Sequence, residues 1–188
     1  MNLKIVRRSN PRVLLREHTR TDLDTLTRIW CDPTVTRHLA TETLSPSEAG
    51  EKLDDILADV SRRPRIRHQL AVVRRSDDAV IGTCGLDAED TAGYVHSCAL
   101  IPDTRHQGLA VDALELLVGI AFDELGLHRV WCGTNGDNTA PQRVLLGAGF
   151  RRTGRVEDHY FKQGRWWDVE EFTLTAHDWR TRTDARPA

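Results

Sequence analysis

The chain has 188 residues, with 26 basic against 28 acidic side chains and a formal net charge of -2 at pH 7. That length can bury a core without disulfide or metal staples, and the balanced charge gives no whole-protein field for nucleic acid or an anionic membrane. No stretch reaches the roughly 20 apolar residues of a membrane helix, the start has no apolar signal run, and Cys31, Cys84, Cys98 and Cys132 show no metal-ligand spacing; the expectation is one reduced, cytoplasmic domain over residues 1–180 with a flexible polar tail at 181–188.

Residues 12–16 read as a first strand. Thr21 with Asp24 makes a capping box for a helix whose apolar face is Leu23, Leu26, Ile29 and Trp30, and Asp32-Pro33 ends or bends it. Ser45-Pro46-Ser47-Glu48 opens a second helix, carried by Ala49, Leu53, Ile56, Leu57 and Val60 at helical spacing. Residues 67–75 and 79–86 pair as a hairpin about Ser76-Asp77-Asp78, and 93–101 form a third, buried strand. The strongest helix spans about 108–125, with a wide apolar stripe and Gly126 to stop it. A strand at 128–133, a short helix at 138–148 and a hairpin of 150–162 with 165–175 complete a mixed α/β domain.

The informative stretch is the strand–loop–helix that includes Pro102 and runs from Asp103 to Ala110. Gly108 lets a ligand approach the backbone closely. The first amides of the following helix have no intrahelical partner, and with the helix dipole they form an anion site. An ordinary strand-to-helix turn is the competing reading. Neither the GxGxxG dinucleotide fingerprint nor a Walker-type phosphate loop is present.

Arg105-x-x-Gly108-x-Ala110 resembles the [Q/R]xxGx[G/A] loop of the GCN5-related N-acetyltransferases (GNAT family). The context agrees: Leu100-Ile101-Pro102 ahead of it, Ala121–Val130 behind it, then Asn138, Gly147-Ala148-Gly149-Phe150, and Gly164-Arg165-Trp166-Trp167-Asp168, similar to a G-x-W-x-D hairpin. Leu14–Arg16 with Asp22, and Trp30-x-Asp32-Pro33, resemble the branch that includes the ribosomal-protein N-terminal acetyltransferases. The likeness covers about residues 12–180.

This resemblance implies a GNAT fold: a mixed central sheet of about six or seven strands with about four flanking helices, splayed at the donor-binding strand. It implies acetyl-CoA or another acyl-CoA as co-substrate and no metal. Ala99, Leu100 and Ile101 would pair with the donor's pantetheine, and Arg105, His106, Gln107, Gly108, Leu109, Ala110 and Val111 would hold its pyrophosphate. Asn138 would lie near the pantetheine end. The amide of Leu100 is the candidate oxyanion donor. His96 is a candidate base on the central strand, against the alternative of a satisfied buried histidine. Pro141 stands where the branch carries a serine, so either Tyr160 or a water protonates the leaving thiolate or the thiolate leaves unaided. Trp30, Glu157 and Asp168 are candidates for the acceptor side, with core packing and a solvated face as alternatives.

The acceptor is expected to be a small-molecule amine or a peptide or protein N-terminus. A carrier-protein phosphopantetheine donor, with an acyl carrier protein as partner, and a catalytically silent CoA- or partner-binding domain stay open beside the acyl-CoA reading. Nucleic acid and membrane are not expected as partners, and the chain is expected as a monomer or homodimer.

Overall fold

The computed structural model describes residues 6–36, 41–104 and 106–185. One sheet of eight strands organises them. Its strands are β1 (Arg7–Ser9), β2 (Val13–Glu17), β3 (Arg67–Arg74), β4 (Ala79–Glu89), β5 (Ala92–Leu100), β6 (Arg129–Asn135), β7 (Arg151–Lys162) and β8 (Arg165–Thr175). Their order is β1-β2-β3-β4-β5-β6-β8-β7. The helices are α1 (Leu23–Trp30), α2 (Pro33–Thr36), α3 (Pro46–Asp59), α4 (Leu109–Gly119), α5 (Thr139–Gly147) and α6 (Ala176–Asp184). The strand count exceeds the expected six or seven because the short edge strand β1 precedes β2. The segment expected as a tail begins inside a helix, since α6 runs to Asp184.

Each strand contact is antiparallel except β5–β6. Strand alternation gives β5 two distinct faces. Cys98 Sγ lies 3.8 Å from the Ala110 carbonyl, so that face looks at α4. α4 packs against β2, β4 and β5, and Leu15, Leu70, Leu114 and Leu117 are fully or almost fully buried in the core. On the other side α1 meets β4, and α3 meets β3 and α1.

Two local expectations are corrected. The capping contact ahead of α1 uses Thr19 and Asp22, not Thr21 and Asp24: Thr19 N–H donates to Asp22 Oδ2 at 2.9 Å. Asp22 is held there because Arg16 Nη1 and Nη2 also bind it, at 2.8 and 2.9 Å. The long helix is not α-helical throughout. After Gly119 it widens to a π segment, Ile120–Glu124, with Leu125 N–H on the Ile120 carbonyl at 3.0 Å. Phe122 stays on the core there, with its ring centroid 6.4 Å from that of Trp179.

The box at Ser45 and Glu48 forms as expected. At the far end, the buried Lys162 ammonium donates to the carbonyls of Thr36 at 3.2 Å and Thr41 at 2.7 Å. It thereby ties the β7–β8 turn to Thr36 at the end of α2 and to Thr41.

Gly82 sits opposite Leu100 at the end of β5. A Cβ there would lie 2.4 Å from the Ala99 carbonyl oxygen and 2.4 Å from Leu100 Cδ2. Gly82→Ala is therefore expected to destabilise the fold by roughly 1–3 kcal/mol through overpacking, read as a lower midpoint in urea denaturation.

Candidate active site

β5 and β6 are paired only through Ala92–Arg129, Gly93–Val130 and Tyr94–Trp131. Beyond that they part. β5 continues to Leu100 paired on β4 alone, and β6 continues to Asn135 paired on β8 alone. Tyr94 and Trp131 close the apex, with ring centroids 4.4 Å apart. The unpaired edge of β5 offers backbone donors and acceptors to any extended ligand.

The direction of those groups follows from one bond. Ile101 N–H donates to the Ile81 carbonyl at 2.8 Å, toward β4. Strand alternation then turns the Leu100 N–H into the gap. Of the three residues expected to line the donor arm, Leu100 presents its amide there, whereas the amide of Ile101 is already bonded.

At the wide end of the gap stands the N-terminus of α4. Gly108 precedes it with φ 77°, and His106 also has a positive φ, 62°. These left-handed residues curl the loop so that the first amides of α4 face outward. Arg12 braces the loop: its Nη1 pairs with Asp112 Oδ2 at 2.8 Å, and its Nη2 donates to the Gln107 carbonyl. Leu109 is buried, while Ala110 and Val111 are half-buried. Arg105 lies outside the described residues.

His96 occupies a β-bulge. The register passes from Gly85↔Ser97 to Leu86↔Val95, leaving His96 as the extra residue of β5. Its ring meets the open side of Gly85, where a Cβ would lie 2.7 Å from His96 Cε1. His96 Nε2 is turned toward Asp87 Oδ1 at 3.6 Å, beyond hydrogen-bond reach, and neither atom has a hydrogen-bond partner among the described residues. Burial lowers the His96 pKa; the Asp87 charge opposes this, and Arg67 and Lys52 reinforce it. The imidazole is thus kept neutral near pH 7, with Nδ1 turned away from Asp87.

Tyr160, on the edge strand β7, reaches back to the end of β6. Asn135 Nδ2 donates to the Tyr160 hydroxyl at 2.9 Å, which leaves the phenolic proton to be donated elsewhere. The wide register shift in β7 between Val156 and Tyr160 brings Tyr160 opposite Trp167. Asn138 stands just ahead of α5 without a side-chain cap bond, its N–H on the Asn135 carbonyl at 3.0 Å. Pro141 lies in the first turn of α5, so no hydroxyl is available at that position.

The residues expected on the acceptor side are not brought together. Trp30 is buried in the core, with Lys52 Nζ 4.6 Å from its ring centroid. Asp168 binds Arg155, and accepts the Asp158 N–H at 3.0 Å. It fills the β7 bulge. Glu157 is exposed within that bulge. Cys98 faces α4, and burial pushes its thiol up to about 12, which removes it as a nucleophile. Among the described residues no group of His, Cys, Asp and Glu could hold a metal ion, and no helix is long and apolar enough to cross a membrane.

Sequence reading missed Asp87 and Asn135. Both are single polar residues near strand ends, and only the bulge and the parting give them partners. The one available signal was the Thr134-Asn135 pair closing an otherwise apolar strand.

A mixed sheet parted beyond the parallel β5–β6 contact, with a glycine-headed helix at the wide end, defines the class as the GNAT fold. The chain belongs to that family: residues 12–151 match the family model described as an acetyltransferase (GNAT) domain. It is 25% identical over 170 residues to the Bacillus licheniformis protein described as uncharacterized N-acetyltransferase p20, covering 89% of this chain and 95% of the relative. Similar solved structures include spermidine N-acetyltransferase from Vibrio cholerae in complex with CoA and spermine, at TM-score 0.80 and 18% identity, covering 91% of this chain and 99% of that one. Ribosomal-protein-S5-alanine acetyltransferase from Vibrio fischeri matches at TM-score 0.76 and 18% identity, covering 93% and 98%.

His96 is expected to titrate below the ordinary histidine value of about 6.5. Because Asp87 opposes that shift, Asp87→Asn should lower the midpoint further. Imidazole proton shifts followed by NMR against pH read both; a midpoint above 6.5, or a rise in the variant, would contradict this electrostatic account.

Proposed function

We propose that the chain transfers an acyl group, in the simplest case acetyl, from acyl-coenzyme A to an amine. The parting of β5 from β6 beside the α4 N-terminus carries this reading. A strand edge with free amides suits the amide-bearing pantetheine arm, and the helix terminus suits its pyrophosphate. The amides of His106 through Ala110 are the groups we assign to the pyrophosphate, since the Val111 N–H already donates to the Gly108 carbonyl at 3.0 Å; the Arg12 brace holds their loop.

Coenzyme A supplies the activated acyl carbon as a thioester. The residues of this chain do the rest. His96 Nδ1, neutral at physiological pH, takes the proton of the attacking amine. The Asp87 carboxylate near Nε2 steadies the imidazolium that forms. The Leu100 N–H, turned into the gap, bonds the carbonyl oxygen as it gains charge while the new C–N bond forms. As the C–S bond breaks, the Tyr160 hydroxyl gives its proton to the departing sulfur. Asn135 holds that hydroxyl in place. The acceptor in this reading is a small-molecule amine or a protein N-terminus; spermidine and a ribosomal-protein alanine, named for the similar structures, span both.

Calorimetric titration with acetyl-CoA tests the donor site. The native protein is expected to bind, and Gly108→Asp, which sets a carboxylate and a strained backbone at the phosphate loop, to bind at least about tenfold more weakly. Thermal melting of the variant controls for loss of fold. Absence of binding by the folded native protein would overturn the reading.

A further inference from the structure

On the face of the sheet away from α4, His96 stands among charged side chains from β3, β4 and α3. Arg67, at the start of β3, is the cross-strand partner of Asp87 on β4. Its Nε lies 3.6 Å from Asp87 Oδ1, the same atom that lies 3.6 Å from His96 Nε2. Its Nη1 lies 3.7 Å from Asp59 Oδ2 at the end of α3. Arg67 is thus shared between two carboxylates.

Lys52 differs. It stands in the middle of α3, the helix that packs on β3 and α1. It is half-buried, and its Nζ lies 4.6 Å from the centroid of the buried Trp30 ring. A helical lysine commonly pairs with an acid four residues earlier. Here that acid is Glu48, and its carboxylate accepts the Ser45 N–H at 2.7 Å in the cap. The nearby Asp54 pairs with Arg20. Every aspartate and glutamate of the chain lies among the described residues, and none of them forms an ion pair with Lys52. The indole face of Trp30 takes the ammonium instead. A ring face does not use all three N–H groups, so donors remain for another partner.

The charge balance beside His96 follows. Of the charges that reach its imidazole, Asp87 is negative, and Arg67 and Lys52 are positive; the Arg67 charge also bears on Lys52. Arg67 is covered by Asp87 and Asp59, whereas Lys52 has no counter-charge. An ammonium drawn partly out of water without one is unfavourable. A second cation entering beside it would add to that cost, and an anion would remove it.

We propose that Lys52 binds a carboxylate of the acceptor, so that the substrate of this site is an amine that carries a carboxylate rather than a polycation. This rests on the acyl-transfer reading above and names the acceptor class for that same site. Lys52 Nζ donates to the carboxylate, Trp30 holds the ammonium from behind, and the amine is left toward His96. A polyamine such as the spermidine named for one similar structure would meet Lys52 as a like charge.

The test uses the full-length protein saturated with coenzyme A. β-Alanine, β-alaninamide and propane-1,3-diamine are titrated in turn while the backbone amide signals of Lys52 and His96 are followed by NMR. The native protein is expected to bind β-alanine saturably, with a Kd at least about tenfold below those of the amide and the diamine, the effect of one charge-assisted hydrogen bond. Lys52→Met keeps an unbranched stem over Trp30 and should bind β-alanine and its amide equally, whereas Lys52→Arg should keep the preference. Acetyl-CoA affinity and thermal melting, changed by less than a factor of two and by a few degrees at most, confirm that the variants are folded. Equal affinity of the native protein for β-alanine and its amide, tighter binding of the diamine, a preference that survives in Lys52→Met, or no saturable response to β-alanine overturns the proposal. Failure of the native protein to bind acetyl-CoA would instead bring down the acyl-transfer reading, and the same titrations without coenzyme A would still judge the Lys52 site.

Discussion

Two neighbouring strands that share only three residue pairs set the terms for the rest of this molecule. Backbone N–H and C=O groups left without partners in a sheet are unfavourable unless water or a ligand satisfies them. β5 and β6 leave such groups from Val95 and Cys132 onward, and the surrounding structure holds the gap open. β4 pairs along the length of β5, β8 pairs along β6, and the packed rings of Tyr94 and Trp131 fix the apex.

The two faces of the sheet divide the work. Toward α4 lie Leu70, Cys84, Leu86 and Leu100, an apolar layer that fixes the helix and so its N-terminus. On the opposite face lie Gln69, Thr83 and Ser97, linked by hydrogen bonds, with His96 and Asp87 beside them. The bulge at His96 joins the two arrangements. It breaks the alternation once, which lets His96 and Ser97 both serve the polar face while Cys98 returns to the apolar one. Lys162 then ties the β7–β8 turn to the carbonyls of Thr36 and Thr41, and two residues before it the Tyr160 hydroxyl accepts from Asn135.

Much of this was legible in the sequence. The apolar stripes of α1, α3 and α4 set the helices, and Ser45 with Glu48 marked one start. The loop around Gly108, read in its strand–loop–helix context, marked the family. What stayed hidden depends on geometry that no local pattern encodes. The capping acid was misplaced because Asp22 is chosen by Arg16 and His18, which reach it through the fold. Trp30 reads equally as pocket wall or core, and only the packing of α3 over it decides for core. Asp168 fits a family pattern by spacing, yet its carboxylate serves the β7 bulge, a feature visible only once β7 and β8 are in register. Asp87 and Asn135 lack signatures because their partners, His96 and Tyr160, lie nine and 25 positions away.

Amide hydrogen exchange along β5 tests the central claim most directly. Leu100 N–H is turned into the gap, whereas Ile101 N–H already binds the Ile81 carbonyl. Saturation with acetyl-CoA is expected to slow exchange at Leu100 by at least about tenfold, the effect of one added hydrogen bond in a dry site, and to leave Ile101 nearly unchanged. Binding of acetyl-CoA with no added protection at Leu100 would contradict the assignment of the parted strands as the donor site.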